Sequence, residues 1–435
     1  ELGSRGQISV SFDRDREDVR LNPAFDGLLG LDAARRWREV KDELLGRSAF
    51  RTGDVMDALG LLASPRERTL TSLPRPEADI EIGTEALPPD VLFGENYHHI
   101  AALSASFLEH MKHLAEASAK RFALTDADLV VELGSNDGAL REAYKKFTPE
   151  VLGVDPSDIA EMAIKKGIPT LRKFFDAKVA ADMVAEYGQA KLIASLNTFA
   201  HISQLDSFVT GVRELLTDDG VFISENHYLL DLIKELQYDF IYHEHSRYYS
   251  LRSLVYLFEK LGMEVFDVER LPTHSGSIRV FAGKKGAHPV SARVKDLLAE
   301  EDAAGLHKAE TYVEFGKKVE AHKAAFTKML SELKAAGHSI AGLTFPARAV
   351  TLLNYCGIGP ETLSYITEGS PIKIGRYSPG THIKCVDQNV LFGPEAPEYG
   401  VLLSWHIEKE IIPKFRAKGF KGKFIIPLPE PRVLN

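Results

Sequence analysis

The chain has 435 residues, 44% of them hydrophobic and 26% charged, which predicts a soluble globular protein of two or three domains. A formal net charge of −9 offers nucleic acid and acidic membranes no overall attraction, so the expected partner is a small-molecule substrate. With only Cys356 and Cys385, no disulfide framework is expected and a cysteine-rich zinc site is excluded, no metal is expected, and a reducing cytoplasm is the expected compartment; neither a signal peptide nor a membrane-length apolar run is read.

In chain order, residues 1–90 read as an N-terminal module and connector, with helices expected over 32–45 and 55–62 and a stretch rich in proline, arginine and glutamate over 63–90. A helix is expected over 98–121, where Ile100, Leu103, Phe107 and Met111 recur on one face. Apolar runs at 129–133 and 151–154 flank a helical segment at 139–146, the βαβ pattern of a parallel sheet. Further strands are expected at 191–196 and 220–224. A charged helical segment over 291–336, expected to be solvated or to bridge domains, leads to a second αβ region that opens at 339–343 and closes near Pro427. The expected domains are 1–90, 91–285, 286–338 and 339–435.

The richest stretch is Val130-Val131-Glu132-Leu133-Gly134-Ser135-Asn136-Asp137-Gly138. Gly134 and Gly138 let the backbone turn and approach a ligand with no Cβ in the way. Asp155, at the end of the next strand, can accept hydrogen bonds from both ribose hydroxyls. A dinucleotide fingerprint places glycines as G-x-G-x-x-G, whereas here the pattern is E-x-G-x-x-x-G. Glu132 and Asp137 would repel a pyrophosphate and suit a cationic, phosphate-free ligand such as S-adenosyl-L-methionine (SAM). A dinucleotide site and an ordinary strand turn are the alternatives. Ligands in open parallel sheets bind beyond the carboxyl ends of strands, which brings Asn197 and His201, then Glu225 and His227, to one rim.

The densest ionisable cluster is Tyr242-His243-Glu244-His245. Histidine exchanges protons near neutrality, a neighbouring tyrosine can hydrogen-bond an oxyanion or ketone, and a glutamate can fix the imidazole tautomer. The cluster lacks H-E-x-x-H spacing, so metal binding is the weaker alternative, beside a solvated polar loop. Cys356 and Cys385 are expected to fill small apolar gaps.

From about Leu92 to its end the chain resembles the SAM-dependent C-methyltransferases that act on nucleotide-linked keto-deoxysugars. The resemblance rests on Leu92-Phe93 with Tyr97, residues 132–138, Phe174-Phe175, Asn197 with His201, Glu225 with Tyr228, and residues 241–245 and 273–280. It continues through Thr351-Leu352-Leu353-Asn354-Tyr355-Cys356-Gly357-Ile358, Gly375-Arg376-Tyr377 and Pro379-Gly380-Thr381-His382-Ile383. It implies an α/β protein with a Rossmann-like class I methyltransferase domain, a second Rossmann-like C-terminal domain and a small N-terminal module. That module usually carries a four-cysteine zinc site, and residues 1–90 contain no cysteine. The implied reaction is methylation of a carbon beside a ketone through an enolate. His245 would be the base, with Tyr97 and Tyr242 on the sugar or enolate oxygen and Glu244 and His201 in support. Glu132, Gly134, Asn136, Asp137, Gly138, Asp155, Phe175 and Asn197 would line the cofactor site. His98, Glu225, Tyr228, His274, Arg376 and His382 would contact substrate. O- or N-methylation of another metabolite, and a SAM-binding scaffold without catalysis, are the other expectations.

Overall fold

The computed structural model describes residues 105–435 apart from 243, 246 and 372, residues 92, 93 and 102, and the backbone of three short N-terminal strands. The chain divides into two compact units, Glu1–Leu87 with Tyr312–Lys317, and the remainder. In the first unit β1 (Ser9–Asp13) pairs antiparallel with both β2 (Asp18–Leu21) and β3 (Asp79–Glu81). The helices expected over 32–45 and 55–62 lie outside the described residues.

The second unit holds two sheets. The first joins β4 (Val130–Leu133), β5 (Val151–Val154), β6 (Thr170–Leu171), β7 (Ala190–Leu196), β8 (Leu216–His227), β9 (Met263–Leu271) and β10 (Ser277–Lys284) in the order β6-β5-β4-β7-β8-β10-β9. Only β10 runs against the others, through antiparallel pairing with β8 and β9. Alternation along the strands separates the apolar residues onto two faces. Val131, Leu133, Ile193 and Phe222 pack with Met183, Phe208 and Leu254 on one side. Val130, Leu192, Val221 and Ile223 pack with Met111, Leu140 and Tyr144 on the other. Each fully buried Leu, Ile, Val or Phe contributes about 1.5–3 kcal/mol, so both faces are needed to hold the sheet.

Two helices, Ala292–Ala303 and Ala309–Ala335, replace the single charged segment expected over 291–336. The break carries Gly305 at φ +70°, a conformation in which a side chain is strained. The segment is also less solvated than its charge suggests, because Val319, His322, Phe326 and Leu330 form a buried stripe. The second sheet follows, with β11 (Ile340–Leu343), β12 (Ile366–Glu368), β13 (Cys385–Asp387), β14 (Tyr399–Leu402), β15 (Lys423–Ile426) and β16 (Arg432–Leu434) in the order β13-β12-β11-β14-β15-β16. All pairs are parallel except β15 with β16. Both sheets are therefore Rossmann-like α/β units. No described helix is long and apolar enough to cross a membrane.

Candidate active site

At the carboxyl end of β4 the chain turns through Gly134 at φ +74° and Gly138 at φ +84°. A Cβ on Gly134 would lie 2.2 Å from Thr198 Oγ1, and one on Gly138 would lie 2.9 Å from Ala163 Cβ and Ile168 Cδ1. The space these glycines leave is thus filled by the protein itself, a refinement of the expectation that it admits a ligand. Asp155 accepts the Asn136 backbone N–H at 2.8 Å through Oδ2, and the Ser157 N–H at 2.9 Å and hydroxyl at 2.5 Å through Oδ1. It fastens the β4 turn to the β5 turn.

The two acids of the turn differ. Glu132 accepts Arg141 Nε at 3.1 Å, and Arg141, wholly buried, also donates to the Pro169 and Ser135 carbonyls and to Thr170 Oγ1. Burial pushes the Glu132 carboxyl up and Arg141 opposes it, so the pair is a closed internal contact. Asp137 is equally buried, and neither carboxylate oxygen has a partner. Burying a carboxylate without a donor costs several kcal/mol. A cationic ligand supplying donors in this turn would offset that cost, and on this observation the residues fit SAM.

At the carboxyl ends of β7 and β8 a second cluster forms. Asn197, at φ +55°, donates from Nδ2 to His274 Nε2 at 3.4 Å, and His274 is itself held at φ +54°. His201 Nδ1 donates to the Glu244 carbonyl at 2.8 Å, which leaves Nε2 as the unprotonated ring nitrogen. Its ring lies 4.8 Å from that of His245 and 5.1 Å from Phe93. His245 Nε2 shares a hydrogen bond with the Tyr242 hydroxyl at 3.1 Å, and its Nδ1 is buried without a partner. Burial, then the neighbouring His201, His227, His274 and Arg348, lower His245 to about 2, so the ring is neutral at physiological pH. Burial lowers His201 as well.

Other expected residues stand apart from this cluster. Tyr97 and His98 lie outside the described residues. Glu225 is buried in β8, where it accepts His110 Nε2 at 2.7 Å and Arg279 Nε at 2.6 Å. Burial would raise its carboxyl, but His110 and Arg279 hold it below its ordinary value. Tyr228 has no exposed surface and donates its hydroxyl to Glu301 Oε1 at 2.9 Å. It packs in the core cluster, and the resemblance implies it as a substrate contact. Phe175 packs edge-on to Phe208 at 5.2 Å. Arg376 and His382 are exposed around the turn that Ser378 closes through Thr381 Oγ1 and the Ile383 N–H. Cys356 and Cys385 are free and buried.

Several residues that shape the site carry no signal in the sequence. Arg247 donates to the Ile202 and Ser203 carbonyls, tying the His245 loop to the His201 turn, and Tyr248 donates to the Phe240 carbonyl at 3.2 Å across the same loop. Arg141, Thr198, Asp239, Arg348 and Trp405 act through distant partners that no local spacing announces.

The sheet order and the glycine turn with its unpartnered acid define a SAM-dependent methyltransferase of class I. Residues 107–268 match the family model described as a methyltransferase domain, and residues 272–429 match the one described as a C-methyltransferase C-terminal domain. The chain is 38% identical over 354 residues to the C-methyltransferase NovU of Streptomyces niveus, an alignment that covers 80% of this chain and 83% of that protein. The chain belongs to the SAM-dependent C-methyltransferase family. Among solved structures, part of it is similar to the YcgJ protein of Bacillus subtilis, at 15% identity and a TM-score of 0.32 over 40% of this chain and 99% of that one. It is also similar to the magnesium protoporphyrin IX methyltransferase of Synechocystis with bound SAH, at 12% identity and a TM-score of 0.32 over 41% of this chain and 83% of that one.

Proposed function

We propose that this C-methyltransferase acts on a carbon next to a ketone, in a nucleotide-linked deoxysugar or a similar metabolite, through an enolate formed by His245. The observation that carries this reading is the pairing of His245 Nε2 with the Tyr242 hydroxyl while Nδ1 stays buried and unpartnered. When Nε2–H donates to the Tyr242 oxygen, Nδ1 keeps a bare lone pair, and a neutral imidazole in that tautomer is a proton acceptor. His201, against the same ring, and the Glu244 carbonyl that accepts from it fix the loop's approach. A carbon acid also needs a donor for the negative charge that develops on oxygen, and Tyr242 and Tyr97 take that role.

SAM, when bound, supplies a sulfonium methyl that is already a good electrophile, so the chain's contribution on that side is alignment. Asp137 and Asn136 in the β4 turn, Asp155 after β5 and Asn197 after β7 are the residues that would hold it. Glu132 and Arg141 brace the turn from below, and Gly134, Gly138 and Phe175 shape it through packing. His98, Glu225, His274, Arg376 and His382 remain proposed substrate-side residues, of which His274 accepts from Asn197 at the rim.

The test is the His245→Ala variant. Calorimetry should find S-adenosylhomocysteine bound as tightly as by the unmodified chain, while turnover falls about 10²–10⁴-fold. A variant that retains full turnover would remove His245 from the role of base.

A further inference from the structure

Phe240 lies at the centre of a cluster to which both sheets contribute. The His227 ring stacks on it at 3.9 Å and 20°, and the His245 ring lies 4.9 Å away. The Arg348 guanidinium lies 4.9 Å from the Phe240 ring and 4.8 Å from the Trp405 ring. Arg348 comes from the helix after β11 and Trp405 from the turn after β14, so the carboxyl ends of both sheets meet here.

Asp239 sets the geometry. Fully buried, it accepts Arg348 Nε at 2.7 Å, Arg348 Nη2 at 2.8 Å and Trp405 Nε1 at 2.8 Å. Side-on pairing of this kind fixes the guanidinium plane and leaves Nη1 as the uncommitted corner. Arg348 Nη1 is buried with no acceptor, and Nδ1 of His406, the residue after Trp405, and Nδ1 of His227, whose Nε2–H donates to Gln237 Oε1 at 3.1 Å, are buried without a partner. An unsatisfied donor on a buried charged group is among the costliest of polar defects. Asp239 is fully engaged, so the missing acceptor is not its carboxylate.

We propose that Arg348, with His227 and His406, forms a receptor for a compact oxyanion, a carboxylate or phosphate borne by the methyl acceptor and held beside His245. The inference rests on the reading that His245 serves the acceptor, and it adds a charge requirement to that acceptor. It also accounts for a mismatch, since a base held at about 2 by burial, then by the neighbouring histidines and Arg348, drives proton removal weakly. Negative charge placed among these groups favours the imidazolium and raises the His245 and His227 values toward neutrality.

The test titrates inorganic phosphate, and separately acetate, into the full chain saturated with S-adenosylhomocysteine at low ionic strength, followed by calorimetry. One saturable site is expected, weakened at least tenfold in Arg348→Met and several-fold in His406→Leu, with cofactor affinity unchanged in both. Preference for acetate identifies a carboxylate, and preference for phosphate a phosphate. Absence of saturable uptake of either anion, or wild-type uptake by both variants, overturns the receptor. Should Arg348→Met lose the cofactor through misfolding, His406→Leu decides, because His406 Nδ1 has no partner to lose. The base assignment is read separately: anion uptake that survives in a fully active His245→Ala variant keeps the receptor and removes the base.

Discussion

Under the proposed function, Asp137 is the residue on which cofactor binding would turn. Replacing it with Asn keeps shape and polarity but removes the charge, so affinity for S-adenosylhomocysteine should fall roughly 10–100-fold, the value of a charged hydrogen bond. Calorimetry on the variant measures this directly, and unchanged affinity would show that Asp137 does not face the ligand. Gly134→Ala tests the turn from the other side. A Cβ 2.2 Å from Thr198 Oγ1, at a positive φ, should cost about 1–3 kcal/mol of folding stability in denaturant unfolding, with weaker cofactor binding as a consequence. The glycines, Asp137 and Asn197 were legible because each sits at a fixed offset from a strong apolar strand, and the His245 cluster because it is the densest run of ionisable residues in the chain. Arg141 and Thr198 were not, because the contacts that fix them include partners 28 and 65 residues away. Glu132 illustrates the limit: local spacing marked it as an acid of the turn, but only the fold reveals that Arg141 neutralises it.

Strands β4, β5 and β7 were readable from continuous apolar runs, the pattern of parallel strands buried on both faces. The length of β8 was not. Glu225, Asn226 and His227 look like loop residues, yet they are strand because β10 pairs beyond the end of β7, matching Arg279 to Glu225 and Ser277 to His227. That pairing joins residues about fifty apart, and the Glu225–Arg279 contact that accompanies it has no local trace. The charged helix Ala292–Ala303 misleads in the opposite direction. Its Glu301 is buried, accepts the Leu251 and Arg252 N–H groups at 2.5 and 3.0 Å, and thereby caps the helix Leu251–Lys260. Glu301→Ala leaves those donors and the Tyr228 hydroxyl unsatisfied, and should lower stability by about 1–3 kcal/mol in urea unfolding. A neutral outcome would mean that water replaces the carboxylate.

At the scale of the molecule, the N-terminal ninety residues were opaque to sequence reasoning, which lacked both a strong period and the family's cysteines. The two αβ regions and the order of their motifs were clear. What the motifs did not convey is how many histidines the fold buries. His201, His227, His245, His322 and His406 are all lowered, burial being the first cause in each, with His227 at about 3 and His245 at about 2. The unfolded chain, with ordinary values near 6.5, takes up protons that the folded chain refuses. Stability is therefore complete above about pH 6.5 and declines as pH falls below it, by up to about 1.4 kcal/mol per pH unit for each such histidine. Denaturant midpoints at pH 7.5 and 5.5 should differ accordingly, and equal midpoints would show that these rings are not buried neutral. The same burial ties stability to the site, because an anion bound among the histidines would shift their titration toward neutral pH.

Whether carbon methylation here begins with proton removal by His245 is decided by exchange in heavy water. The full chain, holding S-adenosylhomocysteine so that no methyl can be transferred, is mixed with a nucleotide-linked keto-deoxysugar, and the proton signal beside the ketone is followed by NMR. Deuterium should replace that proton with the unmodified chain, and His245→Ala should reduce the exchange to the uncatalysed rate. Equal exchange with and without the imidazole would contradict a base role for His245.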